Sequence, residues 1–362
     1  MKTWCIICLA LWALVLFTGC SREDAPSLGP NPPDSRHAQY TNGPASKPRQ
    51  GSLIDYKISG PYVHNNLALY LFHGEEKLPG SSFLTLQEAL DQKKVVVHET
   101  DNVSELCIEN LSENEDVFIQ AGEIVKGGKQ DRVLACSTIV PPKSGKLPIG
   151  SYCVEQGRWR SRGSEAVTNF SNSNNLVSSN ELKIAVLHSS SQQQVWQEVG
   201  DMQKSLNSRL DTNVCSSVSP TSLELALDND LVKEAVKEYE DKLSSIFVQH
   251  DDLIGFAFAI NGKINAADIY TSRALFRKLW PKLFRACSVE AVAKMEKRKS
   301  VEVPSIEKLE NWLAETRSVK AQPKDVNSRV QMRYRETDSN IVFETIDKEL
   351  NQSLLHLGYI SK

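Results

Sequence analysis

Apolar positions recur in short, closely spaced runs between about residues 54 and 154, and mostly at helical spacing beyond about residue 190. Ile54 to Ile58, Leu67 to Phe72, VVVH ending at His98, Val103 to Ile108, Val117 to Val125, Arg132 to Val140 and Leu147 to Val154 each read as a strand bounded by turn residues. Strands this close together have to be joined by hairpins, which predicts an antiparallel sheet, as a sandwich or a meander. LTLQEALDQKKV adds one short helix opening near Thr85. Further on, Gln192 to Leu206 and Ser222 to Phe247 carry apolar residues along one helical face. GFAFAINGKINAADIY is a hairpin whose Asn261-Gly262 pair tolerates the positive φ of a tight turn. The helix expected from about Ser272 contains Pro281, which lacks a donor for the preceding turn and should kink or split it. Ser305 is placed to cap a helix reaching Thr316, with Ile306, Leu309, Trp312 and Leu313 as its buried stripe. Short strands between Val330 and Ile360 end the chain. The class is α+β: an antiparallel β-rich N-terminal half over residues 53–160, a Ser/Asn-rich loop over 161–180, and a mixed α/β C-terminal half over 181–362 of the same domain.

The beginning of the chain follows neither period. Lys2 is followed by an apolar run from Trp4 to Phe17 and then by Thr18, Gly19 and Cys20. The run is about 14 residues, whereas a spanning helix needs roughly 20, so it reads as a signal peptide over residues 1–19. Its end resembles a bacterial lipobox, in which a small residue precedes the cysteine that receives the acyl chains. That resemblance implies cleavage before Cys20, lipidation of Cys20 with fatty acids such as palmitate, and membrane lipid as its partner. With Ser21 next, the likeness to Gram-negative lipoproteins implies sorting to the periplasmic face of the outer membrane in such a cell. Residues 20–52 hold Pro26, Pro30, Pro32, Pro33, Pro44 and Pro48 among polar residues, a composition for a disordered tether.

About 310 residues remain to fold, enough for a sizeable core. The net charge is −3 with both signs interspersed, so no basic patch points to nucleic acid. Beyond Cys20 the cysteines are Cys107, Cys136, Cys153, Cys215 and Cys287, without CxxC, and the seven histidines are scattered. No metal site and no cofactor are expected from these spacings. HExxH, GxSxG and GxGxxG do not occur.

Two polar blocks carry the candidate chemistry. AGEIVKGGKQDR places Gly127 and Gly128 at a turn flanked by Glu123, Lys126, Gln130, Asp131 and Arg132. Folded back as a hairpin, Glu123 and Asp131 would present carboxylates beside cations, a set for acid–base work or for holding a phosphate. The alternative is a solvated hairpin tip. SYCVEQGRWR puts Cys153 and Glu155 on one face of a strand and offers Arg158 and Trp159 at its exit, a guanidinium and a flat ring suited to a phosphate and a base or sugar. Its alternative is a buried thiol, a salt-bridged Glu155 and a packed Trp159.

AGEIVKGGKQDR, SYCVEQGRW, QQQVWQEV, GFAFAINGKINAADIYTSRALFRKLWPKLFRA and LLHLGYI, in that order, resemble the ADP-ribosylglycohydrolase- and rhodanese-phosphatase-associated proteins, the ARPP-type domain. The resemblance covers most of the chain from about Leu67 to Ile360 and implies a link to ADP-ribose or NAD-derived metabolites. Three functions follow as expectations. The first is a lipid-anchored module binding a small phosphorylated or ADP-ribose-like ligand through the two polar blocks. The second is an envelope interaction module whose protein partner the sequence does not name, and the third is a hydrolase using Glu123, Asp131 or Glu155.

Overall fold

The computed structural model describes residues 54–100, 102–160, 162, 170–296 and 302–362. The expected signal peptide, Cys20 and the tether lie outside the described residues. In chain order the first elements are β1 (Lys57–His64), β2 (Leu67–His73), β3 (Phe83–Thr85), α1 (Leu86–Asp91), β4 (Val95–Glu99) and β5 (Glu105–Asn110). Next come β6 (Asp116–Ile119), β7 (Glu123–Gly127), β8 (Arg132–Leu134), β9 (Thr138–Val140), β10 (Lys146–Cys153) and β11 (Phe170–Leu176). The helical part holds α2 (Asn180–Ile184), a π-helical turn Ala185–Ser189, α3 (Gln192–Leu210), α4 (Leu223–Leu227) and α5 (Asp230–Val248). The chain closes with β12 (Leu253–Ile260), β13 (Lys263–Tyr270), α6 (Arg273–Ala293), α7 (Ile306–Ala314), β14 (Gln322–Asp325), β15 (Val330–Glu336), β16 (Asn340–Asp347) and β17 (Ser353–Ser361). The fold is α+β, with its strands concentrated early and its longer helices late.

An eight-stranded antiparallel sheet, ordered β1-β2-β12-β13-β17-β16-β15-β14, runs through the molecule. The first two strands of the chain therefore complete a sheet whose other members lie beyond residue 250. One face packs Tyr70, Phe72, Ile254 and Ile269 against Leu309, Trp312 and Leu313 of α7. The other packs Leu69, Leu71, Phe256 and Phe258 against α3, α5 and α6 and against Phe118, Ile124 and Val133 of the β-rich part. That part is a six-stranded sheet, β11-β7-β8-β10-β5-β4, and a three-stranded sheet, β3-β6-β9, around a core of its own that includes Val97, Leu106, Val117 and Leu134. Its pairs are antiparallel except β3 with β6.

Four expectations change. The run Val117 to Val125 is two strands in different sheets, because the chain turns at Gln120–Gly122 with Gly122 at φ +89°. Arg132 to Val140 divides in the same way into β8 and β9. The Ser/Asn-rich stretch expected as a loop over 161–180 holds strand β11, whose polar side chains face charged neighbours rather than a dry core. The helix from Ser272 is not split: Pro281 lies inside the 21-residue α6. The proline costs about 3 kcal/mol, while Leu275, Phe276, Leu279, Trp280, Leu283 and Phe284 are all buried and each contributes roughly 1.5–3 kcal/mol. Among the described residues, serine, threonine or asparagine caps each of the seven α-helices, from Thr85 with its capping box to Ser305.

Candidate functional site

The β7–β8 turn and the exit of β10 do meet. Gly127 and Gly128 take φ +118° and +53°, and a Cβ on Gly128 would lie 2.4 Å from the Phe170 ring, so the turn requires glycine there. Asp131 accepts from the Gly127 amide at 3.1 Å and donates its own amide to Glu155 Oε2 at 3.2 Å. Arg158 Nε donates to Glu155 Oε2 at 2.7 Å, and its Nη2 lies 3.5 Å from Asp131 Oδ1. Arg162 Nη1 donates to Asp131 Oδ2 at 2.8 Å, Ser222 donates to the same oxygen at 3.2 Å, and Ser219 donates to Glu155 Oε1. Gln130 Nε2 closes the set on the Glu155 carbonyl at 2.8 Å. Asp131 and Glu155 are fully buried and each of their carboxylate oxygens has a donor. Two anions opposite two guanidinium groups make a neutral lock on the turn, with no free oxygen on either carboxylate for a proton transfer.

The remaining candidates point elsewhere. Arg132 is fully buried under β4 and β5, donating to Glu99 Oε1 at 3.1 Å and to the Val103 carbonyl. Glu123 is not paired with Asp131. It accepts from the Gln120 amide and binds Lys282 Nζ, both at 3.0 Å, and Lys282 also donates to Asn172 at 3.1 Å. Lys126 Nζ stands 3.6 Å from Glu224, which accepts from Ser173 at 2.6 Å and Asn175 at 3.1 Å. Burial pushes the Glu224 carboxyl above the usual carboxylate range. Trp159 is exposed, with the Lys129 ammonium 5.2 Å from its ring centroid. Burial raises the Cys153 thiol to about 11, and its backbone is clamped by Gln192 at 2.8 Å on both N–H and C=O, so it is no poised nucleophile.

A more enclosed feature is a cavity of about 60 Å³ between the central sheet and the β-rich part. Phe256, Phe258 and Phe343 supply apolar wall, and Asp268, His356, Lys183, Gln120 and Ser137 supply its polar groups. Asp268 on β13 and His356 on β17 stand on neighbouring strands, with Asp268 opposite Gly358 and Tyr270 opposite His356. His356 Nε2 and Asp268 Oδ1 are 2.8 Å apart. The Tyr270 ring stacks on the imidazole at 4.5 Å, and its hydroxyl donates to Gln120 at 2.9 Å. A Cβ on Gly358 would sit 3.2 Å from His356 Cε1, so glycine keeps the space beside the imidazole clear. Lys183 Nζ lies 5.4 Å from the Phe258 ring centroid and makes no ion pair among the described residues. The local sequence hides this set: Asp268 and His356 are 88 residues apart and become neighbours only through strand order.

The central antiparallel sheet carries α7 on one face and the β-rich part with α3, α5 and α6 on the other, and the cavity lies on that second side. The model of the ARG and Rhodanese-Phosphatase-superfamily-associated Protein domain, ARPP-1, matches residues 55–360, and the chain belongs to that family. No curated protein and no solved structure matches it significantly. Among the described residues no helix is long and apolar enough to cross a membrane.

Proposed function

We propose that the domain binds a small phosphorylated ligand in the cavity of Lys183, His356 and Asp268, and that lipid on Cys20 holds it at a membrane. The observation that carries the reading is Lys183: an ammonium without an ion-pair partner among the described residues, set against an aromatic ring at the wall of an apolar cavity. A phosphoryl group supplies the missing counter-charge, and His356, oriented by Asp268, adds a second polar contact. One water needs about 10–15 Å³ on this measure, so the cavity encloses a phosphoryl or small acid group, and a ligand as large as ADP-ribose enters by one end only. Glu123, Asp131 and Glu155 have their partners already, which weighs against hydrolysis there.

A thermal-shift panel of inorganic phosphate, ribose 5-phosphate, ADP-ribose and NAD on the full chain in detergent tests the ligand class. A ligand at 100 times its Kd adds about 2.7 kcal/mol, a rise of a few degrees for a domain of this size. Shifts confined to phosphate-bearing compounds support the reading, and a flat response at millimolar ligand moves it to an interaction module with a macromolecular partner. The anchor is tested separately, by metabolic labelling with a palmitate analogue. Label is expected on the wild type and not on Cys20→Ala, and equal labelling of both excludes it.

A further inference from the structure

We propose that His73, His250 and Asp252 form a binding site for a divalent transition-metal ion of the zinc type, at the end of the central sheet and sharing no residue with the cavity. One nitrogen from each histidine and one oxygen of Asp252 all lie within 4.8 Å of one another. His73 is the last residue of β2 and Asp252 immediately precedes β12. The two strands pair Leu253 with His73, and the Gly74 amide donates to the Asp252 carbonyl at 2.9 Å, so two of the three ligands sit on hydrogen-bonded backbone. His250 arrives from the turn after α5 with its ring edge-on to His73, centroids 4.9 Å apart, and Arg277 donates to its carbonyl.

The surroundings of His73 resemble those of a metal ligand. Its Nδ1 faces Asp252 Oδ1 at 2.9 Å while its Nε2 lies 2.6 Å from Ser59 Oγ, which also accepts from the Tyr62 hydroxyl at 3.2 Å. With the Nε2 proton donated to Ser59, the Nδ1 lone pair is free for an ion, the usual arrangement in which the second ring nitrogen fixes the tautomer. An ion seated between Nδ1 and Oδ1 would take the place of the direct His73–Asp252 contact. Two ligands on one tetrahedral zinc ion stand roughly 3.4 Å apart, so the His73–Asp252 pair has to open by about half an ångström. Asp252, 55% exposed, has the freedom to do so. Two imidazoles and one carboxylate leave at least one position for water or substrate, the count of a catalytic rather than a structural zinc site.

The contacts Ser59–His73–Asp252 also follow the order of a nucleophilic relay, but that reading leaves His250 without a role. The test uses the full chain in detergent, stripped with chelator, with Co²⁺ followed by visible absorption and Zn²⁺ by competition with a chromophoric chelator. One equivalent of each is expected. His250→Ala and Asp252→Asn should weaken binding at least 100-fold with circular dichroism unchanged, and Ser59→Ala by about 10–100-fold through the lost outer contact. Absence of binding in the wild type, stoichiometric binding that His250→Ala and Asp252→Asn both retain, or covalent labelling of Ser59 by a fluorophosphonate would each overturn the assignment.

Discussion

Arg158→Ala separates a structural lock from a ligand site. In the native fold Arg158 Nε donates to Glu155 Oε2 at 2.7 Å, Nη2 stands 3.5 Å from Asp131, and Nη1 donates to the Arg160 carbonyl at 2.5 Å. Truncation leaves Asp131 and Glu155, both fully buried, opposite Arg162 alone. Removing one partner from a buried charge network costs about 3–5 kcal/mol, mostly the desolvation of the charge left behind. For a domain of this size that is a fall in Tm of roughly 6–10 °C. Urea unfolding of the full chain in detergent, followed by far-UV circular dichroism, gives the free energy, and a phosphate titration below the transition gives the affinity of the folded variant. The expectation is a large loss of stability with phosphate affinity within threefold of wild type. A loss under about 1 kcal/mol, or a tenfold fall in affinity of the folded variant, would refute the reasoning and return the ligand to the hairpin.

Glu224 gives a pH prediction. Its folded pKa lies above the unfolded value because of burial, so the folded state holds the extra proton and stability falls as pH rises through the folded pKa. The wild type should lose stability relative to Glu224→Gln as pH rises above about 4 in urea titrations, and a difference independent of pH would contradict this. Gly128→Ala should cost at least about 1–3 kcal/mol, since φ is +53° and the new Cβ meets Phe170 at 2.4 Å; unfolding midpoints measure it. Gly358→Ala should crowd His356 and lower phosphate affinity about tenfold by calorimetry with little change in Tm. Burial holds the Cys136 thiol at about 11, so Cys136, which lines the cavity, should alkylate slowly at pH 8 and more slowly still with ligand present, as read by peptide mass spectrometry.

Local pattern was enough for most elements because strands and helices announce their own faces. Asn261 and Gly262 form the expected tight turn, both with positive φ, and Ser305 caps α7 as its place before the apolar stripe implies. Pattern failed where tertiary contacts decide. Nothing in Val117 to Val125 marks the corner that sends its two ends to different sheets, except Gly122. The polar strand β11 carries no apolar alternation, since Asn172, Ser173 and Asn175 serve Lys282 and Glu224. The two polar blocks meet at Asp131, Glu155 and Arg158, but sequence cannot tell a saturated network from an open one. Spacing alone left the histidines scattered and gave no reason to expect a metal site. His73 is 179 residues from Asp252, and His356 is 88 from Asp268. Only strand order brings such pairs together.

The most direct test of the cavity as the ligand site is calorimetric titration of ribose 5-phosphate into the wild-type chain, Lys183→Ala and Arg158→Lys under identical conditions. Binding by the wild type and by Arg158→Lys, with at least a tenfold loss in Lys183→Ala, is the predicted result. Equal affinity in wild type and Lys183→Ala, or no heat of binding in any of the three at millimolar ligand, would contradict it.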